Sequence, residues 1–184
     1  MITAANIKNG VNVDQLVETI GAVQNNPELA KFQFRAKSDW IDGGHCVSNI
    51  KEFYGVGAED ESRKETFTME CSHPEVLLGK DEAPTPPEVA LHALGTCLIG
   101  AMVYHAAANG IDIESASSTL EGGCDLHGFL GLDPEVRMGF DGINFKLKVK
   151  SDASAEQLEN LAKFSPVFDM ITNPTPVSIE IIKE

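Results

Sequence analysis

The sequence predicts an α+β protein with largely antiparallel strands around one long, buried helix. Segments with alternating apolar residues are grouped before and after a long apolar segment, and they do not alternate with helices as βαβ units would. The long segment is apolar on nearly every side, which is typical of a central buried helix. With 184 residues, 42% of them hydrophobic, the chain can form one good core.

An amphipathic helix is predicted near the start of the chain. Asn12 suits the N-cap position, and apolar residues at helical spacing follow until Pro27. This spacing predicts a helix over residues 13–24. We therefore expect an N-terminal helical extension over residues 1–30 and one main domain over residues 31–184.

Three strands are predicted after this helix. Alternating apolar side chains predict a β-hairpin of residues 31–40 and 45–53, with Gly43-Gly44 at its tip. Residues 55–64 are polar and contain glycine, which predicts a loop, and alternation resumes in a third strand at 65–72.

The long apolar helix has clear start and stop signals. The segment 85–88, Thr-Pro-Pro-Glu, combines a capping box with proline at the first helical position, and Asn109-Gly110 provides the stop. A membrane span is the competing interpretation. The proline cap, His92 and His105 within the helix, and the charged remainder of the chain favour a buried helix in a soluble protein.

The remaining elements complete the α+β order. The glycine-rich segment 122–142 is predicted to be a long connection that could serve as a functional loop. Ser165-Pro166 breaks one helix and starts another. Strands are predicted over 113–121, 143–150 and 177–182, and helices over 155–164 and from Pro166 onward.

Charge and cysteine spacing narrow the possible functions. The formal net charge of −14 is spread along the chain, which disfavours binding to nucleic acid or to anionic membranes. The first residues show no basic segment followed by an apolar one, so we expect a cytoplasmic protein. Its cysteines lack the spacing of a zinc site, so we expect reduced thiols, no metal and no cofactor. They stand at positions 46, 71, 97 and 124.

Cys97 lies in the middle of the long helix. Its neighbours at a spacing of three and four residues are small or apolar, which predicts a thiol in a small apolar pocket. Spacing alone favours the simpler interpretation of a packed core cysteine. These neighbours are Ala93, Leu94, Gly100 and Ala101.

Two motifs resemble those of the osmotically inducible protein C / organic hydroperoxide resistance family. Residues 85–97, Thr-Pro-Pro-Glu-Val-Ala-Leu-His-Ala-Leu-Gly-Thr-Cys, resemble the start of that family's central helix and its peroxide-reactive cysteine. Residues 164–167, Phe-Ser-Pro-Val, resemble its second, Cys-Pro-Val motif, with serine in the cysteine position. The element order from Phe32 to Ile182 also fits. The resemblance implies an intertwined homodimer with active sites at the dimer interface.

The resemblance further implies a thiol peroxidase for organic hydroperoxides. In this chemistry a thiolate attacks the peroxide oxygen, an alcohol leaves, and the sulfenic acid condenses with a second cysteine. An external dithiol of the lipoyl type then reduces the disulfide. An arginine from the first hairpin and the glutamate of the helix start activate the reactive cysteine in the family.

Three residues occupy the family's functional positions. Cys97 takes the reactive position, Ser165 the resolving position and Glu88 the glutamate position. Ser165 cannot form a disulfide, and it is equally suited to be a helix N-cap. Nine helical residues at about 100° each place Glu88 on the opposite side of the helix from Cys97. A capping-box carboxylate is therefore an equally good interpretation of Glu88.

The first hairpin departs from the family pattern. Its tip, residues 40–46, contains no arginine, and His45 is the nearest possible cationic substitute. Arg35 and Arg63 are other candidates, although neither lies at the motif position. Cys46 on the same hairpin is a candidate replacement for the resolving cysteine, and a packed strand cysteine is the alternative.

These residues support two functions of different kinds. The first is an atypical thiol peroxidase with Cys97 as nucleophile, resolved by an external thiol or by Cys46. The second is a noncatalytic dimer that binds a small hydrophobic or electrophilic ligand beneath Cys97. A stress-associated protein that has kept only the fold is a third possibility. The protonation state of the Cys97 thiol near neutral pH discriminates between the first two.

Overall fold

The computed structural model describes residues 5–183 and divides the chain into two compact units. The first contains residues 5–7 and 12–90, and the second contains residues 8–11 and 91–183. The boundary expected at residue 30 stays a prediction.

The first unit contains the predicted N-terminal helix and strands. Asn12 caps the first helix as expected, because its side chain accepts a hydrogen bond from the Gln15 N–H at 3.1 Å. The strands and the α-helix preceding the long helix are β1 (Ile7–Lys8), β2 (Val11–Asn12), α1 (Val13–Asn25), β3 (Gln33–Phe34), β4 (Lys37–Asp42), β5 (His45–Ile50), β6 (Phe53–Gly55), β7 (Ala58–Glu59) and β8 (Phe67–Cys71), with short 3-10 helices at Pro27–Ala30 and Glu75–Leu77.

Two antiparallel sheets form within this unit. The strands β4, β5 and β8 make one, and β3, β6 and β7 make the other. The hairpin tip falls at Gly43, whose φ of +46° favours glycine, as the sequence predicts. The single strand expected over 31–40 is wrong, because Phe34 pairs with Phe53 in one sheet while Ser38 pairs with Ser48 in the other.

The polar segment 55–64 also differs from the expected loop. It contains a tight turn at Val56 and Gly57, both with positive φ, so that β6 and β7 pair across it. Both strands are short, so their sequences do not show the alternation of apolar and polar residues on which the strand prediction relies.

The second unit is built on the long helix. Its elements are most of α2 (Pro86–Ala108), then β9 (Ser115–Gly123), α3 (Leu126–Phe129), β10 (Gly142–Lys150), α4 (Ala155–Ala162) and α5 (Pro166–Thr172). The nine-residue strands β9 and β10 pair antiparallel, and their alternate residues are partly buried. The short α3 lies within the segment 122–142, which the sequence predicts to be a long connection that could serve as a functional loop.

The core of the second unit lies between α2, α4 and one face of the β9–β10 sheet. A β-carbon at Gly95 would stand 2.7 Å from Leu120 of β9, so glycine lets helix and sheet approach closely. Partly buried residues of β10, including Phe145 and Leu147, pack against this cluster. The buried members are Leu94, Leu98, Met102, Leu158 and Ala162.

The N-terminal residues 8–11 belong to this second unit. The Lys8 ammonium donates to the Gly110 carbonyl at 3.0 Å and to Asp112 at 2.9 Å. The Asn9 amide donates to the Ile111 carbonyl and accepts from the Ile113 N–H, both at 2.9 Å. These bonds fix the segment that follows α2.

The helix α2 is long and apolar enough to cross a membrane, with a mean hydropathy of 1.5 over its best window. The core helix of a soluble protein has the same length and composition. We keep the core-helix interpretation because Leu94, Leu98 and Met102 are buried in the second unit.

The final strand expected over 177–182 is wrong for the single chain. Val177, Ile179 and Ile181 alternate as the prediction requires, yet each is more than 80% exposed. Within residues 5–183, no strand pairs with this segment. A strand requires a hydrogen-bonded neighbour, and an alternating sequence cannot supply one.

Candidate active site

Cys97 lies at the edge of the buried stripe of α2. It is half-buried, whereas Leu94 and Leu98 beside it in sequence are buried in the core. Gly95 approaches Leu120 of β9, and Cys97 stands about 200° further round the helix, at about 100° per residue. The thiol therefore points away from the sheet and is partly accessible.

The helix face around Cys97 carries small residues together with Tyr104, and it is only partly covered. Ala93 and Gly100 lie at four and three residues' spacing from Cys97. A β-carbon at Gly100 would meet nothing within 4 Å, and Tyr104 on the same face is 57% exposed. An approaching molecule can therefore reach this face.

A separate cleft in the second unit does not include Cys97. It has a volume of about 580 Å³, is wide open and has a mainly polar lining. It lies at the end of the β9–β10 hairpin. Its lining residues are Glu121, Gly122, Gly123, Asp141, Gly142, Ile143 and Asn144.

Ser165 is almost completely buried, at 1% exposure. It is the N-cap of α5, and its hydroxyl oxygen accepts a hydrogen bond from the Phe168 N–H at 3.1 Å. The preceding Phe164 ring stacks on His105 of α2, with 4.1 Å between ring centroids. These contacts fix the α4–α5 junction against α2 and give Ser165 a structural role.

Glu88 closes the capping box at the start of α2. Its carboxylate accepts hydrogen bonds from the Thr85 N–H at 2.7 Å and from the Thr85 hydroxyl at 2.8 Å. The backbone hydrogen bond, followed by the hydroxyl bond, lowers the pKa of Glu88 below its usual value. The carboxylate is thus ionised and engaged in the helix cap.

His45 and Cys46 lie on opposite faces of their sheet, because successive residues of β5 alternate in direction. The two nitrogens of the His45 ring face Glu70 at 3.2 Å and Glu82 at 3.5 Å. Cys46 lies directly opposite Cys71 of β8. The two hairpin candidates therefore cannot act from the same face.

The two alternative arginines are engaged within the first unit. The Arg35 guanidinium donates to both carboxylate oxygens of Glu59, at 2.7 and 2.9 Å. This pairing lowers the pKa of Glu59. Arg63 lies 4.7 Å from the ring centroid of Phe53 and donates to the Lys51 carbonyl.

The division of the chain separates the candidates into two groups. Cys97 and Ser165 belong to the second unit, and Glu88, His45 and Cys46 belong to the first. Sequence reasoning missed the pairing of Cys71 with Cys46, since nothing in one sequence gives the register between β5 and β8. Among residues 5–183, no three His, Cys, Asp or Glu side chains are grouped so as to hold a metal ion.

The sequence of this chain matches the model of a known protein family. A sequence model described as OsmC-like protein matches residues 79–180, which is more than half of the chain and includes both Cys97 and Ser165. No curated protein matches by sequence.

Solved structures with the same fold share little sequence with this chain. An OsmC-like protein from Mycoplasma pneumoniae is 13% identical with a TM-score of 0.58, covering 77% of this chain and 89% of that one. An OsmC-like protein of unknown function from Vibrio cholerae is 14% identical with a TM-score of 0.54, covering 82% and 99%. An organic hydroperoxide resistance protein from Legionella pneumophila is 19% identical with a TM-score of 0.50, covering 77% and 90%. At these identities the likeness shows the fold alone.

Proposed function

Because this chain belongs to the OsmC-like protein family, we propose that it is an atypical thiol peroxidase that reduces organic hydroperoxides through Cys97. The family includes peroxidase-like stress proteins. The observation that carries the proposal is the position of Cys97. Cys97 combines the family's helix motif with a half-buried thiol on a partly exposed face of α2.

The proposed reaction oxidises Cys97 by two electrons. The thiolate attacks one peroxide oxygen, the O–O bond breaks, and the alkoxide leaves and takes a proton to become an alcohol. Cys97 is left as a sulfenic acid. Ser165 cannot resolve it, so an external thiol attacks the sulfur and releases water. A second thiol, or the other arm of a dithiol, then releases reduced Cys97. Cys46 is the alternative resolving group.

Noncatalytic binding of a small hydrophobic or electrophilic ligand is a second candidate function. One observation favours it: the two arginines considered as activating groups are engaged elsewhere, Arg35 with Glu59 and Arg63 on Phe53. A thiol without a neighbouring cation is a weaker nucleophile at neutral pH. Such a protein would still take up electrophiles slowly at Cys97.

We also propose that the protein is a homodimer in which a second copy covers the exposed face of α2. The open space at Gly100 and the exposed Tyr104 ring support this proposal. The apolar, unpaired segment 177–182 supports it as well, because an alternating sequence is suited to add a strand to another chain. The active site would then lie beside the dimer interface.

A cytoplasmic location accompanies this proposal. The four cysteines are free in the structure, as suits a reducing compartment where an external thiol regenerates Cys97. We expect no nucleic-acid partner, because the net charge of −14 repels polyanions.

Hydroperoxide consumption by the reduced protein tests the proposed function. Cumene hydroperoxide is supplied with dihydrolipoamide or a monothiol, and turnover is compared for wild type, Cys97→Ser and Cys46→Ser. We expect turnover in wild type and its loss in Cys97→Ser. Loss in Cys46→Ser as well would make Cys46 the resolving group. No turnover, together with a Cys97 thiol that alkylates only at alkaline pH, would overturn the peroxidase proposal in favour of ligand binding.

A further inference from the structure

Cys46 and Cys71 face one another across two neighbouring strands. The antiparallel register of β5 and β8 places Cys46 directly opposite Cys71. Directly opposed residues have their side chains on the same face of the sheet, with β-carbons about 4.5–5.5 Å apart. On the other side of Cys46, Trp40 of β4 completes a row across the sheet.

Neighbouring contacts on both sheet faces agree with this arrangement. The Ser38 and Ser48 hydroxyls lie 2.8 Å apart on the face that carries Cys46, two residues further along β5. The His45–Glu70 contact lies on the opposite face. Both cysteines are half-buried and free, so a small reagent can reach them and no existing bond must break first.

We propose that Cys46 and Cys71 form a reversible dithiol–disulfide pair that exchanges with low-molecular-weight disulfides and dithiols. A disulfide requires its β-carbons about 3.5–4.5 Å apart, so directly opposed strand residues need only a small approach. The proposal rests on the register of β5 and β8 and does not require that Cys97 act as a peroxidase.

The exchange proceeds in two balanced steps. One cysteine thiolate attacks a sulfur of the small disulfide, forming a mixed disulfide and releasing one small thiolate. The opposed cysteine then attacks the protein sulfur of that mixed disulfide, forming the cross-strand bond and releasing the second small thiolate. The protein loses two electrons and two protons, and the small disulfide is reduced to two thiols.

The bond would fix the end of β8, which leads toward α2. Ser72 follows Cys71, is 2% exposed, and donates its N–H to the Pro84 carbonyl at 3.2 Å. Pro84 directly precedes the Thr85–Glu88 capping box. Oxidation would therefore stiffen the segment before the helix start, and it would also withdraw Cys46 from any role in resolving Cys97.

Redox titration of the double variant Cys97→Ser, Cys124→Ser tests the pair in isolation. The protein is equilibrated in a series of glutathione buffers from reducing to oxidising, quenched in acid and alkylated, and its mass is measured by mass spectrometry. We expect both remaining thiols to disappear together, with a mass loss of two hydrogens and no glutathione adduct. Adding Cys46→Ser to the same background should instead produce one stable glutathione adduct at Cys71.

Fluorescence gives a second readout, because Trp40 is the only tryptophan and lies opposite Cys46. A disulfide quenches a neighbouring indole, so we expect emission to fall on oxidation and to recover with a dithiol. Thiols that stay free, or that each hold a separate adduct at the oxidising limit, would overturn the proposal. Peptide mapping of the oxidised wild-type protein gives a test that does not depend on the folding of variants. Absence of a Cys46–Cys71 linkage in its peptide map would also overturn the proposal.

Discussion

Glu88 illustrates how a single carboxylate can stabilise the start of a helix. It accepts two hydrogen bonds from Thr85, and these bonds lower its pKa. A carboxyl whose pKa is lower in the folded state adds stability above its unfolded pKa of about 4.3. That stability is lost as pH falls through the lower folded-state pKa.

We predict that Glu88→Gln lowers the free energy of unfolding at neutral pH by about 0.5–1 kcal/mol, within the range for helix caps. The difference from wild type should shrink as the pH falls through the lowered pKa of the native Glu88 carboxyl, because the carboxylate then takes up a proton and loses its bonds as an ion. Urea unfolding between pH 3 and 7 measures it. The substitution Glu61→Gln at an exposed residue is a matched control. A loss of stability in Glu88→Gln that is equal at every pH would contradict the capping role of the Glu88 carboxylate.

Ser165 has a structural role at a position where the family has a reactive cysteine. It is well suited to be the N-cap of α5, but its hydroxyl cannot resolve a sulfenic acid. We predict that Ser165→Cys weakens the cap by about 1 kcal/mol. The same variant should form an intramolecular disulfide with Cys97 after one equivalent of hydroperoxide. Persistent sulfenic acid in the variant, detected by mass spectrometry, would count against a shared site.

Helix boundaries and tight turns were predicted correctly, because they depend on local sequence signals. The capping box and the proline at the first position predicted α2, and Gly43-Gly44 predicted the hairpin tip. The division between β3 and β4 depends on which distant strand each one pairs with. The pairing of Cys46 with Cys71 depends on register in the same way. No local pattern contains that information, which is why the pair was missed.

The core face of α2 should dominate the stability of the second unit. Met102 is fully buried, so we predict that Met102→Ala lowers the free energy of unfolding by about 2–5 kcal/mol through lost contacts and a new cavity. The exposed Thr96→Ala on the same helix should change it by less than about 0.5 kcal/mol. Chemical denaturation compares the two, and equal effects would contradict the assigned core face.

Several large apolar side chains are exposed in the single chain. Val177, Ile179 and Ile181 are each more than 80% exposed, and Trp40 is 71% exposed. Large exposed apolar patches in a soluble protein are typical of interaction surfaces. The sequence predicts a strand over residues 177–182 from its alternating pattern, but none of the described strands pairs with this segment.

Removal of residues 177–184 tests this surface. We predict that light scattering finds a dimer for the whole chain and a shift toward monomer for the shortened one. Replacing Ile179 and Ile181 with threonine keeps the chain length and β-propensity, so it separates lost apolar contacts from lost chain. A whole chain that is monomeric at micromolar concentration would contradict the proposed dimer.

Trapping of the oxidised cysteine tests directly whether Cys97 is the thiol that reacts with peroxide, as we propose. One equivalent of cumene hydroperoxide is added to reduced protein, dimedone traps the sulfenic acid, and mass spectrometry locates the adduct. We expect an adduct at Cys97 that forms faster than at Cys46, Cys71 or Cys124 and is absent in Cys97→Ser. Equal, slow modification of all four cysteines, or a preference for another one, would contradict it.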